Sequence, residues 1–271
     1  MKNKLIIIGL FSILSASISA GEQCGFSYWM ENQGITFQKH TNNAAYVFAT
    51  SHIKISVSGS QRAYHPDEIG IDCLNKTNTK GLDCPINIGY PNSDHWSERL
   101  VIDPINSTRA YQQTSGKYKG FFISKTKLEN KQVTDINDPS KYVDATKMPF
   151  IKLPSNLISN EAFGQIGDLG ISMNTFTGLV SGFVIADTTL PKSRLGDVSI
   201  YLAEKLGVIK PNPQTKIDTV NEDILYVIFP GTAKLYPWPL SNEEINTHAM
   251  QLLEKTRRYC EMKLELTNVI N

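Results

Sequence analysis

The sequence predicts a β-rich α+β domain. Six short segments have strand character and are separated by glycine, proline and polar turns. Only two segments carry a helical apolar stripe with start and stop signals. With 271 residues and 41% hydrophobic content, the chain can bury one sizeable core.

In chain order, the first element lies outside the fold. Met1-Lys2-Asn3-Lys4 is cationic, Leu5 to Leu14 is apolar apart from Gly9 and Ser12, and Ser15 to Ala20 is a small-residue stretch. This is the plan of a secretory signal over residues 1–20, with cleavage after Ala20. The apolar run is too short to span about 30 Å of hydrocarbon, so no membrane anchor is expected. The mature chain, residues 21–271, is read as a single exported domain. Export implies an oxidising compartment, and Cys24, Cys73, Cys84 and Cys260 are an even set, so two disulfides are expected. Of the three connectivities, Cys73–Cys84 and Cys24–Cys260 are preferred: the first closes a short polar loop and the second ties the two ends. The spacing does not suit zinc, and the five histidines do not cluster with the cysteines. No metal or cofactor is expected.

Strands are predicted at Ile53–Val57, Lys119–Ser124, Phe150–Leu153, Asp168–Met173, Leu179–Ala186 and Ile224–Phe229. Residues 65–118 are polar and loop-rich. Val198 to Leu206 forms a short helix with Val198, Leu202 and Leu206 on one face and Gly207 beyond its end. Ser241-Asn242-Glu243-Glu244 is a capping box opening a C-terminal helix to about Met262, striped by Ile245, Ala249, Leu252, Tyr259 and Cys260. No internal repeat or linker divides the chain.

Charge narrows the function. The net charge is +1, and loss of residues 1–20 removes two lysines and no acid. That excludes a nucleic-acid binder of the usual basic kind and gives no support to a membrane-surface helix. No Walker or Rossmann glycine pattern occurs, and Ser199 lacks a G-x-S-x-G context.

The informative stretch is Gly182 to Val208. An apolar strand ends at Asp187, a proline-containing loop follows, and Gly196-Asp197 precedes the short helix. Two carboxylates thus flank one loop. Glycosidic hydrolysis uses such a pair: one acid protonates the leaving oxygen, the other carboxylate activates water or attacks the sugar. The bland alternatives are a turn residue for Asp187 and an N-cap for Asp197. An N-cap role would also oppose acid catalysis, because a helix N-terminus favours the ionised form.

Ordered segments elsewhere resemble glycoside hydrolase family 75, the fungal-type chitosanases. They are Gly120–Leu128, Tyr142–Pro154, Gly167–Gly170, Phe183–Gly207, Leu225–Thr232, and Trp238-Pro239 followed by Glu244-Ile245. The resemblance covers about residues 110–255 and implies a chitosanase-like enzyme cleaving β-1,4-linked amino-sugar polymers. It implies Asp187 as the strand-end catalytic Asp. Asp197 stands where the family has Glu in its "GEgS" motif. That exchange withdraws the carboxyl by about 1–1.5 Å from bond lengths, and misplacement on this scale costs on the order of a hundredfold in rate. A shorter resemblance, over Asp187 to Gly207, is to the double-psi β-barrels, including the rare lipoprotein A type, in which the second acid is Asp. It implies a six-stranded double-psi-like barrel core, with Asp197 as proton donor and Asp187 as its partner.

Four further residues are candidates for sugar contact. Trp96 and Trp238 offer stacking faces, with core or surface packing as the alternative. Tyr118 and Lys125 flank the family-like strand and are placed at a cleft. Asp168, in a glycine-rich turn, reads as structural. The expected partner is a polysaccharide, chitosan or alternatively the peptidoglycan glycan, the latter including a toxin aimed at another cell's wall. A reading of another class is a polysaccharide-binding protein without catalysis.

Overall fold

The computed structural model describes residues 24–71, 73, 84–158, 160–208 and 219–270. The expected signal segment, residues 1–20, lies outside them. The first strands are β1 (Phe26–Asn32), β2 (Ile35–His40), β3 (Tyr46–His52) and β4 (Lys54–Ser56). After a long loop-rich excursion come β5 (Phe150–Pro154) and a single helical turn, α1 (Ser155–Ile158). Then follow β6 (Leu169–Asn174), β7 (Val180–Thr189), β8 (Asp197–Ser199), α2 (Ile200–Lys205), β9 (Thr219–Phe229) and α3 (Asn242–Ile270).

The strands form one nine-stranded mixed sheet in the order β1-β2-β3-β9-β6-β7-β5-β8-β4. Among the described residues, β5–β7 and β4–β8 pair parallel and the other ladders are antiparallel. The ladder ends at β1 and β4 and is not closed. Ile53 alone separates β3 from β4, so the chain itself carries the third strand into the last. The expected β-rich α+β class and C-terminal helix are therefore present.

Period-two alternation sorts side chains between the two faces of the sheet. Along β9, Ile224, Tyr226 and Ile228 enter the main core with Phe37, Tyr46 and Phe48. Val227 and Phe229 face the other way, onto Ala249 and Leu253 of α3. Along β7, Phe183 and Ile185 join the main core while Val184 and Ala186 pack with Phe150, Leu169 and Ile245. Helix α3 approaches β7 closely because residue 182 is glycine: a Cβ there would stand 2.8 Å from the Asn246 Cα. Its capping box forms as expected, with the Ser241 amide donating to Glu244 and the Glu244 amide donating to Ser241 Oγ.

Other expectations are corrected. Lys119–Ser124 is not a strand. Residues 100–124 form isolated bridges such as Gln112↔Phe122, and Gly120 sits at φ 93°, outside the extended region. Strands β1 to β3 extend the sheet beyond the expected set. Gln33 and Gly34, both at positive φ, close the β1–β2 hairpin. Both preferred disulfides form, Cys24–Cys260 and Cys73–Cys84. Among the described residues no helix is long and apolar enough to cross a membrane.

Candidate active site

Asp187 and Asp197 occupy one line across the sheet. Lys152 on β5 pairs with Asp187 on β7 and, on its other side, with Asp197 on β8. Asp197 pairs in turn with Lys54 on β4. The row therefore reads Asp187, Lys152, Asp197, Lys54, alternating in sign over four strands. Lys152 is the only polar side chain in an otherwise apolar strand, and it is buried.

A bulge sets the register. Ile151 pairs with Ile185 and Lys152 with Asp187, so Ala186 is the extra residue on β7. The Ala186 carbonyl accepts from the Leu128 amide at 2.8 Å. The neighbouring Lys127 amide donates to Asp187 Oδ1 at 3.3 Å. The bulge thus turns Asp187 toward a loop amide and toward Lys152, whose Nζ lies 3.1 Å from Asp187 Oδ2. Lys152 Nζ also donates to Ser58 Oγ at 2.5 Å, and the Ser58 amide donates to Ser56 Oγ at 3.3 Å. A buried ammonium is tolerated only with such partners.

Asp197 is placed by Gly196, whose φ is +106° and whose missing Cβ would fall 1.8 Å from the His52 carbonyl oxygen. The Gly196 carbonyl accepts from the Lys54 amide, which starts the parallel β4–β8 pairing. The Asp197 Oδ2 lies 3.7 Å from Nζ of the half-exposed Lys54. Asp197 is not the N-cap of α2. Ser199 is: its Oγ accepts from the Leu202 and Phe150 amides and donates to the Met148 carbonyl. Asp197 belongs to a strand, so the conflict with the helix dipole does not arise. At the other end of α2, Gly207 (φ 70°) closes a Schellman motif, with Val208 bonded to Ala203 and Gly207 to Glu204.

Tyr226 on β9 is a residue that sequence reasoning missed. Its hydroxyl is buried without a hydrogen-bond partner among the described residues. Burial, then the Asp197 charge, push this phenol well above its ordinary value, so it is a neutral donor beside the acid. Lys152 and Lys54 were missed too. A lone lysine inside Phe150–Leu153 was the available signal, since an unpartnered lysine does not occur in a buried strand.

The remaining candidates have packing partners of their own. Trp96 is buried in the main core, edge-on to Tyr90 at 5.3 Å, so it offers no stacking face to a sugar. Trp238 is half-buried against the cluster of Leu128, Ala186 and Ile245. Tyr118 packs edge-on to Phe121, with Lys117 Nζ 5.5 Å from its ring centroid. Lys125 donates to the Ser97 carbonyl at 2.6 Å, and burial, with repulsion from Lys127, lowers its pKa. Asp168 is structural as expected: it is fully buried and accepts from the Gln165, Gly231 and Ala233 amides.

The histidine expectation is also corrected. His40 Nε2 lies 3.2 Å from Cys260 Sγ, because the β1–β2 register sets His40 opposite Phe26, close to Cys24. A comparison with protein-family models and one with curated proteins give no match for this chain.

Proposed function

We propose that this chain is an exported glycoside hydrolase, chitosanase-like, that cleaves β-1,4-linked amino-sugar polymers with Asp197 as general acid and Asp187 as its partner. The observation that carries the reading is the register row. It sets the two acids two strands apart, about 10 Å between Cα atoms at ordinary strand spacing. Inverting glycosidases hold their carboxyl groups, rather than their Cα atoms, roughly 6.5–9.5 Å apart with room for a water, so the proposal requires the two carboxyls to lie slightly closer than their backbones. Asp187, oriented by the Lys127 amide and Lys152, positions that water, accepts the proton it sheds on attack, and faces the developing oxocarbenium charge. Asp197, buried beside Tyr226, gives its proton to the leaving oxygen; the Lys54 ammonium, 3.7 Å away, favours the ionised form and must move off first.

The double-psi-like barrel belongs to the same proposal. Taken as one continuous strand, β3–β4 makes a set of six with β9, β6, β7, β5 and β8, and two of its pairs are parallel. The resemblance to family 75 supplies the substrate class.

One observation favours the second reading, a binding protein without catalysis. Both acids are nearly buried, and each has a lysine partner. The test is reducing-end release from soluble chitosan and from purified peptidoglycan, with Asp197→Asn as control. Activity on chitosan that the substitution abolishes supports the hydrolase. Activity on peptidoglycan alone moves the substrate to the cell wall. Silence on both with oligosaccharide binding intact leaves the binding protein.

A further inference from the structure

The Cys24–Cys260 disulfide has a third member. The sulfurs and a ring nitrogen of His40 all lie within 4.8 Å of one another. His40 Nδ1 is 2.6 Å from Asn42 Oδ1, and that same oxygen accepts from the Ala44 amide at 2.9 Å. The Asn42 amide also lies 3.3 Å from Nδ1, but the 2.6 Å contact to an oxygen that already accepts from Ala44 assigns Nδ1 the proton and leaves Nε2 facing Cys260 Sγ at 3.2 Å. Metal-bound histidines use this arrangement, one nitrogen on the metal and the other anchored through its proton to an oxygen. On the far side Thr41 Oγ1 lies 3.5 Å from Cys24 Sγ, where its hydroxyl can donate to a thiolate. The proposed active-site reaction uses none of these groups.

We propose that Cys24, His40 and Cys260 form a redox-gated site for a thiophilic divalent cation such as Zn²⁺. In the disulfide form the sulfurs are poor ligands and the site is closed. Two electrons from a dithiol, itself oxidised to a disulfide, break the Sγ–Sγ bond, and two protons complete the thiols. Metal binding then releases those protons as both thiolates coordinate. Zinc at about 2.3 Å from sulfur and about 2.0–2.1 Å from nitrogen sets S···S near 3.8 Å and N···S near 3.6 Å in tetrahedral geometry. The His40–Cys260 distance, 3.2 Å, is already close to this, and the sulfurs separate as the disulfide opens. Three protein ligands leave a fourth position for water. The metal would hold the start of β1 to α3 in place of the disulfide.

The test is Co²⁺ titration of the full mature chain, reduced anaerobically with a phosphine in the presence of the metal. Circular dichroism is recorded alongside, and a Cys73→Ser/Cys84→Ser chain removes the other pair of thiols. The expected result is one Co²⁺ per chain with thiolate charge-transfer absorption, displaced by Zn²⁺ and absent from the oxidised chain. His40→Ala should weaken binding at least tenfold and alter the visible ligand-field bands. Three results would overturn the proposal: a folded reduced chain that takes up no metal, equal affinity in His40→Ala, or a reduced chain that loses its fold although the metal is present.

Discussion

Lys152→Met removes the buried ammonium and keeps the length and most of the volume of the side chain. Lys152 is 2% exposed at its side chain and Asp187 is 10% exposed, so little water can replace the lost partner. Breaking a buried ion pair by deleting one partner costs about 3–5 kcal/mol. Asp187 keeps the Lys127 amide, which argues for the lower end of that range. At this chain length about 3 kcal/mol corresponds to a fall in Tm of roughly 6–12 °C. The assay is thermal and urea unfolding of Lys152→Met, Asp187→Asn and the double substitution. The double variant should be more stable than the sum of the single effects predicts, because neither charge is then left buried alone. Loss of less than about 1 kcal/mol in Lys152→Met, or strict additivity, would refute the reasoning.

Gly196→Ala forces a Cβ onto the His52 carbonyl oxygen at a positive φ and should cost at least about 2 kcal/mol; an unchanged urea midpoint would contradict the placement of Asp197. Disulfide loss should scale with the loop closed. Cys24→Ser/Cys260→Ser, 236 residues apart, should cost about 5 kcal/mol, against about 3 for Cys73→Ser/Cys84→Ser, 11 apart; denaturant unfolding of the two variants gives the order, and a reversal would count against the entropic account. Burial, then the charges of Glu129 and Asp135, raise the Tyr142 pKa from 10.0 to about 12. The unfolded chain then ionises first, so the stability that Tyr142 contributes is complete below pH 10 and lost toward pH 12. Unfolding at stepped alkaline pH, with the phenolate absorbance followed, checks this; a flat profile through that window would count against it.

The strands that could be read from the sequence are those whose own side chains state their burial. Phe150–Leu153, Leu179–Ala186 and Ile224–Phe229 are apolar on both faces apart from Lys152 and Ser181, and the sheet is covered on both sides where they lie. Strands β1 and β2 are at or near an edge, half-exposed and mixed in polarity, and their sequence carries no such signal. Strand β8 is three residues long and exists only through its partners β4 and β5. The Lys119–Ser124 apolar run misled because Phe122 enters the main core and Ile123 packs with Val101 and Tyr142 through isolated bridges rather than a ladder. Within the candidate site, the strand–loop–helix pattern pointed to the two acids, although Asp187 lies inside β7 rather than at its end and Asp197 opens β8 rather than the helix. Their alternation with Lys152 and Lys54 was not legible, since it depends on long-range register and on one bulge. His40 beside the Cys24–Cys260 pair was hidden for the same reason.

The measurement closest to the central proposal is the initial rate of reducing-end release on soluble chitosan by the mature chain, set beside Asp197→Asn and Asp187→Asn. The account predicts measurable turnover, a loss of at least about a hundredfold in each variant, and a native circular dichroism spectrum in all three proteins. Turnover that survives both substitutions would contradict the assignment of the two acids. No turnover by the unmodified chain on chitosan or on peptidoglycan would contradict the hydrolase itself.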